Sequence, residues 1–127
     1  VSRASNPSGR GVARLAQRES VLRLYRAYFL RDPDVSGHEH WSYIHAYNHP
    51  LREISDGFAR SGEFARRYGR LSDAAFVELI YENVLDRRPD LAGRNHWVAP
   101  LRAGQSRGAV MAAFSESAEF RRRTGTA

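Results

Sequence analysis

The 127-residue chain contains no cysteine, no lysine and only one methionine. The absence of cysteine excludes a disulfide scaffold, a thiol enzyme and a cysteine-based zinc site. No apolar run approaches the roughly 18 to 20 residues that a helix needs to cross a bilayer, and the first residues lack the apolar core of a signal peptide. A chain of this length buries roughly two-thirds of its unfolded surface. We therefore expect one soluble domain whose core needs no metal or disulfide.

All 20 basic residues are arginines, and with 14 acidic residues the formal charge is +6. The absence of lysine is typical of a GC-rich genome, and it also fits selection for the guanidinium fork that grips phosphate or carboxylate. The excess of positive charge lies in segments 1–19, 60–70 and 121–123, each with a net charge of +3. Such clusters either stabilise helix C-termini or contact an anionic partner. The candidate anion contacts are Arg66, Arg67, Arg122 and Arg123.

The chain carries an internal repeat, because residues 25–69 align without a gap with residues 81–125 at a shift of 56 positions. Identical pairs include Tyr25/Tyr81, Pro33/Pro89, Asp34/Asp90, Gly37/Gly93, His40/His96, Trp41/Trp97, Phe58/Phe114 and Phe64/Phe120. Apolar residues recur at helical spacing in both copies, and each first helix stops before a proline. We predict an all-α fold in which two pseudo-symmetric units of three to four short helices each pack into one globular domain.

The domain organisation follows from this repeat. Residues 1–11 contain almost nothing apolar, so they predict a flexible lead-in. The two units then occupy 12–69 and 70–127. Because the sequence starts with valine, we expect the chain to be processed or to belong to a longer protein with a domain upstream. Pro100 falls inside the second helix of the second unit, where we expect a kink or an early helix end.

Helix caps and core positions can also be predicted. The segments Arg31–Asp34 and Arg87–Asp90 form the corners between the first and second helices of the two units, and Asp34 and Asp90 are placed to accept backbone N–H groups at the start of each second helix. One carboxylate per corner is far short of the roughly six to eight oxygens that calcium takes. Ser61 and Ser117 are placed to cap a short closing turn at the end of each unit. The predicted core comprises Leu24, Tyr25, Phe29, Trp41, Ile54, Phe58, Phe64 and their partners 56 residues later.

The most distinctive stretches of the second copy are Phe76–Tyr81, Leu85–Asp90, Gly93, His96, Trp97, Leu101, Gly104 and Ser117–Phe120. At these spacings the chain resembles the bacterial repeat family catalogued as domain of unknown function 4214. The resemblance implies two tandem copies, the first one looser, and a distant likeness to the phycobilisome linker domains of cyanobacteria. Members of that family typically lie in secreted or surface proteins of bacteria, some beside peptidoglycan amidase domains. Many members have tyrosine or phenylalanine where this chain has His40 and His96.

Polar and aromatic groups near the two corners are the candidate ligand contacts: Asp34, His40, Trp41, Asp90, Arg94, Asn95, His96 and Trp97. The two tryptophans fit a core anchor as well as a platform for a sugar ring. A cluster of histidines, His38, His40, His45 and His49, matches no established zinc spacing, so we expect no metal and no cofactor. No motif for a nucleophile with its base and no phosphate-binding loop occurs.

We therefore expect a non-catalytic binding module of a secreted or cell-surface bacterial protein, recognising an envelope glycan or a partner protein. The resemblance implies such an accessory role, and it leaves a self-associating scaffold or linker as the main alternative. Nucleic-acid binding through arginines is a second alternative, although acidic helices separate the basic segments.

Overall fold

The computed structural model describes residues 7–47 and 49–126, with the side chains of 15–47 and 49–126. Within these ranges the chain forms eight α-helices, one π-helical turn and no strand, which confirms the predicted all-α class. In order, the elements are α1 Pro7–Phe29, α2 Val35–Ala46, α3 Leu51–Ala59, α4 Gly62–Tyr68, α5 Asp73–Ile80, the π-turn Tyr81–Leu85, α6 Leu91–Arg102, α7 Arg107–Ser115 and α8 Ala118–Thr124. No helix in the described ranges is long and apolar enough to span a bilayer.

Helices α2, α3 and α4 have the same bounds as α6, α7 and α8 once 56 is added to their residue numbers. The short connection 69–72 separates α4 from α5 and lies at the predicted boundary between the two units. We call residues before and after this connection the N-terminal and C-terminal halves. A pseudo-symmetry axis relating the halves stays a prediction.

The predicted caps are confirmed at each second helix. Asp34 Oδ1 accepts the backbone N–H of Gly37 at 2.8 Å, and Asp90 Oδ1 accepts that of Gly93 at 2.7 Å. Such a cap contributes about 1 kcal/mol to stability. The short helices α4 and α8 are capped in the same way, by Ser61 and Ser117.

A glycine lies three residues after each capping aspartate for a steric reason. A Cβ atom on Gly37 would lie 2.6 Å from Asp34 Oδ1 and 3.1 Å from Tyr25 Oη. The equivalent Gly93 is crowded by the corresponding aspartate and tyrosine. The Pro-Asp-x-x-Gly spacing therefore allows the first helix of each half to press its tyrosine against the start of the second.

The helices pack around one continuous hydrophobic core, and the chain is a single globular domain. Almost all predicted core residues are buried: Leu24, Tyr25, Phe29, Ile54, Phe58 and Phe64, with Ile80, Leu85, Val110, Phe114 and Phe120 in the C-terminal half. Trp41, Tyr81 and Trp97 are partly buried and pack against this cluster. The predicted core omitted Tyr28, whose hydroxyl donates to the carbonyl of Ser55 at 2.9 Å in the interior.

Helices α3 and α7 form the most extensive helix–helix contact and join the two halves. Asp56 of α3 accepts the backbone N–H of Gly108 at 2.8 Å, so it binds the first turn of α7 from the other half. A Cβ atom on Gly108 would lie only 2.3 Å from the Asp56 backbone nitrogen. Ser55 and Ser115 are fully buried beside this contact. The small residues at this contact thus leave room for the two helices to pack backbone against backbone.

Two expectations need correction. Helix α1 begins at Pro7, so residues 7–11 of the predicted lead-in are helical, and residues 1–6 lie outside the described ranges. Pro100 does not end α6 early, because α6 continues to Arg102. Val98 and Leu101 are buried on either side of this proline, so packing holds the last turn in place. The kink at Pro100 stays a prediction.

Candidate functional site

The eight candidate ligand residues fall into two groups, one on α2 with its cap and one on α6 with its cap. Helix α2 packs against α1 and α3, whereas α6 packs against α5, so the groups belong to different parts of the molecule. Both capping aspartates, Asp34 and Asp90, are exposed but already accept a backbone N–H. Arg94 donates to Glu78 at 3.1 Å, and Asn95 is exposed.

The two candidate tryptophans face the core. The ring centroid of Trp41 lies 5.5 Å from that of Phe58, and the exposed His40 ring contacts Trp41 edge-on at 4.8 Å. Trp97 makes the corresponding contacts with Phe114 and the exposed His96. Core anchoring therefore accounts for both tryptophans, while their stacking on a sugar stays a prediction.

Trp41 is also tied to the first helix. Burial raises the pKa of the Tyr25 phenol above its ordinary value, and Arg31 and a hydrogen bond from Trp41 partly oppose this rise. The tryptophan thus contacts α3 through the ring of Phe58 and α1 through the phenol of Tyr25.

The outward face of α2 carries an aromatic pair that the sequence analysis missed. The ring centroids of Tyr43 and Tyr47 lie 4.5 Å apart with a tilt of 32°. Their side chains are 52% and 63% exposed. His40 lies one helical turn before Tyr43 on the same face and is exposed as well. We call His40, Tyr43 and Tyr47 the α2 face. Tyr47 directly follows the last residue of α2, and the positions that match the tyrosines in the C-terminal half are Ala99 of α6 and Ala103, which directly follows α6.

A groove of about 360 Å³ lies at the second corner and contains two of the candidates, Asp90 and Arg94. Its lining residues are Glu78, Glu82, Arg88, Pro89, Asp90, Leu91 and Arg94. The lining combines three carboxylates with two guanidinium groups, so it favours neither an anion nor a cation strongly.

The histidines of the N-terminal half are engaged by protein groups. His38 Nε2 lies 2.7 Å from the Arg18 carbonyl oxygen, and His45 Nδ1 lies 2.9 Å from that of His49. His49 Nδ1 lies 3.3 Å from a carboxylate oxygen of Glu53. In the described part of the chain no group of three or more histidine, aspartate or glutamate side chains is arranged to hold a metal ion.

The four candidate anion contacts are exposed and lie in the last turns of two closing helices, Arg66 and Arg67 in α4 and Arg122 and Arg123 in α8. Cations are favourable at this end of a helix because of the helix dipole. Arg123 also donates to Glu119 at 3.2 Å. Contact of these arginines with an external anion stays a prediction.

Comparison with known proteins finds one family. The family described as Domain of unknown function (DUF4214) matches residues 55–124, from the middle of α3 to the end of α8. The match is a single span, so two tandem copies stay a prediction. No curated protein and no solved structure matches the chain. Because the matched span covers more than half of the sequence, the chain belongs to the DUF4214 family.

Proposed function

We propose that this domain is a non-catalytic binding module of a secreted or cell-envelope bacterial protein, and that the α2 face recognises an envelope glycan. The observation that carries the proposal is the exposed Tyr43–Tyr47 pair, whose rings lie 4.5 Å apart. Aromatic rings offer an apolar surface to the C–H face of a sugar, and tyrosine does so at a low cost in conformational entropy. The resemblance to a family found in surface proteins supports the location.

The arrangement of α2 suits such a platform. Trp41 and the buried Ser42 anchor the inner side of the helix, so the outer side is held in one orientation. The exposed imidazole of His40 offers ring nitrogens that can hydrogen-bond to sugar hydroxyls beside the two phenol groups. The face thus combines apolar rings with polar groups at their edges, as many ligand sites do.

The proposal is tested by sedimenting the purified domain with isolated bacterial cell wall at two salt concentrations. Between about 0.1 M and 1 M salt the Debye length falls from about 10 Å to about 3 Å, so charge-driven binding is lost and stacking is retained. We expect retention at both concentrations. Loss at high salt together with competition by DNA would replace the glycan proposal with polyanion binding by the arginines.

Variants locate the binding surface. We expect Y43A/Y47A to abolish retention at both salt concentrations without changing the melting temperature, because both rings are exposed. H40A and H96A form a matched pair, since each removes an exposed imidazole that contacts a tryptophan. Only H40A is expected to weaken retention. Equal weakening by both variants would contradict a site on α2 alone.

Scaffolding by self-association is a second candidate function, and Val35 and Leu91 favour it. These equivalent residues directly follow the capping aspartates and are 79% and 65% exposed. Apolar groups at two matched corners fit a contact between copies of the chain. Sedimentation velocity over a wide concentration range tests this, with mass that rises in the wild type and not in V35S/L91S. A constant monomer mass would exclude it.

A further inference from the structure

A second groove, of about 460 Å³, lies where the two halves of the chain meet. The end of α1 and the following corner form one wall, and the π-turn and α8 form the other. Its lining residues are Arg26, Leu30, Arg31, Asp32, Asn83, Val84, Phe120, Arg123 and Thr124. We call it the junction groove. It shares no residue with the α2 face.

Unused hydrogen-bond donors are present on the first wall. Arg26 donates from Nε to Asp32 Oδ1 at 2.7 Å. Both terminal nitrogens of Arg26 lack a hydrogen-bond partner among the residues that the structure describes. Arg31 differs, because Glu63 binds it through two oxygens at 2.8 and 3.2 Å. Arg26 is therefore the donor that the first wall keeps available.

Positive charge is in excess on the opposite wall. Arg123 Nε and Arg87 Nη1 both donate to Oε2 of Glu119, at 3.2 and 3.1 Å. One carboxylate thus serves two guanidinium groups, which leaves a net positive charge beside the groove. Across the whole lining, three guanidinium groups face a single carboxylate, that of Asp32.

The base of the junction groove is rigid. Val84 and Phe120 are almost fully buried. Asn83 of the π-turn donates to the Ala27 carbonyl at 2.8 Å, which ties this turn to α1. Thr124 is held by a hydrogen bond from its hydroxyl to the Phe120 carbonyl at 2.9 Å. The arginines therefore stand on a preformed surface, which lowers the cost of ordering a bound group.

We propose that the junction groove binds an oxyanion, the carboxylate or phosphate group of a small ligand, between Arg26 and Arg123. Planar guanidinium groups bind both kinds of group through charge-assisted, often paired hydrogen bonds. The two arginines come from different helices and different halves, so the ligand bridges the halves. This site is independent of glycan recognition by the α2 face.

The test is an NMR titration of the whole ¹⁵N-labelled chain with inorganic phosphate, and separately with acetate, at constant ionic strength. We expect saturable shifts at the groove amides, such as those of Leu30, Asn83 and Thr124. R26Q and R123Q should each weaken binding about tenfold, since each removes charge-assisted hydrogen bonds. R102Q is the matched control, because Arg102 is exposed, lies like Arg123 in the last turn of a helix, here α6, and does not line the groove. It should leave binding unchanged.

A variant that is expected to strengthen phosphate binding completes the experiment. D32N removes the only carboxylate of the lining and should tighten phosphate binding, a result that loss of structure cannot produce. Shifts spread evenly over the arginine-rich segments, or equal weakening by R102Q and R123Q, would overturn the proposal in favour of general charge attraction. Absence of saturable shifts with both anions would also overturn it. The cell-wall retention expected of the α2 face does not depend on either outcome.

Discussion

Helices α2 and α6 have the same length, the same aspartate cap and a tryptophan packed against a phenylalanine ring, yet their outward faces differ. Where α2 exposes Tyr43 and Tyr47, α6 exposes Ala99 and Ala103. Positions that cap or face the core are shared because the packing of each half constrains them, whereas exposed positions vary without cost to folding. The comparison indicates that the aromatic face of α2 is not required by the fold.

A second difference between the halves lies in the interior. Arg23, only 2% exposed, donates from Nε to Glu116 at 2.7 Å and from Nη1 to Thr126 at 2.8 Å. The positions that match Arg23 and Glu116 in the repeat are Leu79 and Arg60, which cannot form this pair. The ion pair therefore closes the domain on one side only, between α1 and the connection from α7 to α8.

The largest expected effect comes from a substitution that breaks the Arg23–Glu116 pair. Arg23→Ala leaves the Glu116 carboxylate without its main buried partner and should lower the free energy of unfolding by about 3–5 kcal/mol. The double variant R23L/E116L, which introduces apolar groups like that of Leu79, should recover much of this loss. Urea unfolding of both variants measures the effect. A single variant as stable as the wild type would show that the pair is not structural.

The same pair predicts a pH dependence. Burial raises the pKa of Glu116, but hydrogen bonds from Arg23 and Ser20 outweigh it and hold the pKa below its ordinary value of 4.5. The pair's stabilisation is therefore present above the unfolded-state pKa and is lost as the pH falls through the lower folded-state pKa. Urea unfolding from pH 7 downward should show a steeper loss for the wild type than for E116Q. Parallel curves would contradict this assignment.

The next largest effect is expected at the two equivalent tryptophans, which both halves pack against the core. Trp41→Ala and Trp97→Ala should each lower the free energy of unfolding by about 3 kcal/mol, since both remove a large ring from the edge of the core. Similar values would support a common structural role. A nearly neutral effect at one tryptophan would contradict its role as a core anchor.

The contact between the halves is tested by two glycines in α3 and α7. Gly108→Ala should destabilise the domain by about 1–3 kcal/mol, because the new methyl group would overlap the Asp56 backbone. Gly57→Ala should stabilise it by about 0.5–1 kcal/mol, since a Cβ there meets no atom within 4 Å and alanine favours the helix. Thermal unfolding measures both. Destabilisation by both changes would point to a general intolerance of substitution in these helices.

The smallest effect concerns the residue that directly follows α1 in the N-terminal half and the π-turn in the C-terminal half. Leu30 and Asp86 occupy equivalent positions and have positive φ values of 57° and 53°. Leucine tolerates this conformation less well than aspartate does. Leu30→Gly should therefore stabilise the domain by up to about 1 kcal/mol, and Asp86→Gly should have a smaller effect. Thermal unfolding with the reverse ranking would contradict the difference.

Much of the fold could be predicted from the sequence because its signals are local. Pro-Asp-x-x-Gly and the serine caps mark the helix starts, and the 56-residue repeat predicts the second set of bounds from the first. The Arg23–Glu116 pair could not be predicted, since its members lie 93 residues apart and do not match in the repeat. The α2 face had a usable signal, the i, i+4 spacing of Tyr43 and Tyr47. The junction groove had none, because its walls meet only through tertiary packing.

The central claim is that the α2 face, and not the caps and core positions that the two halves share, binds the glycan. The most direct measurement is a ¹H–¹⁵N NMR titration of the ¹⁵N-labelled chain with soluble peptidoglycan fragments at high salt. We expect the amide shifts to cluster on residues 40–47, at the end of α2, and to spare the equivalent residues 96–103, at the end of α6. Equal shifts on both helices, or none on α2, would contradict the claim.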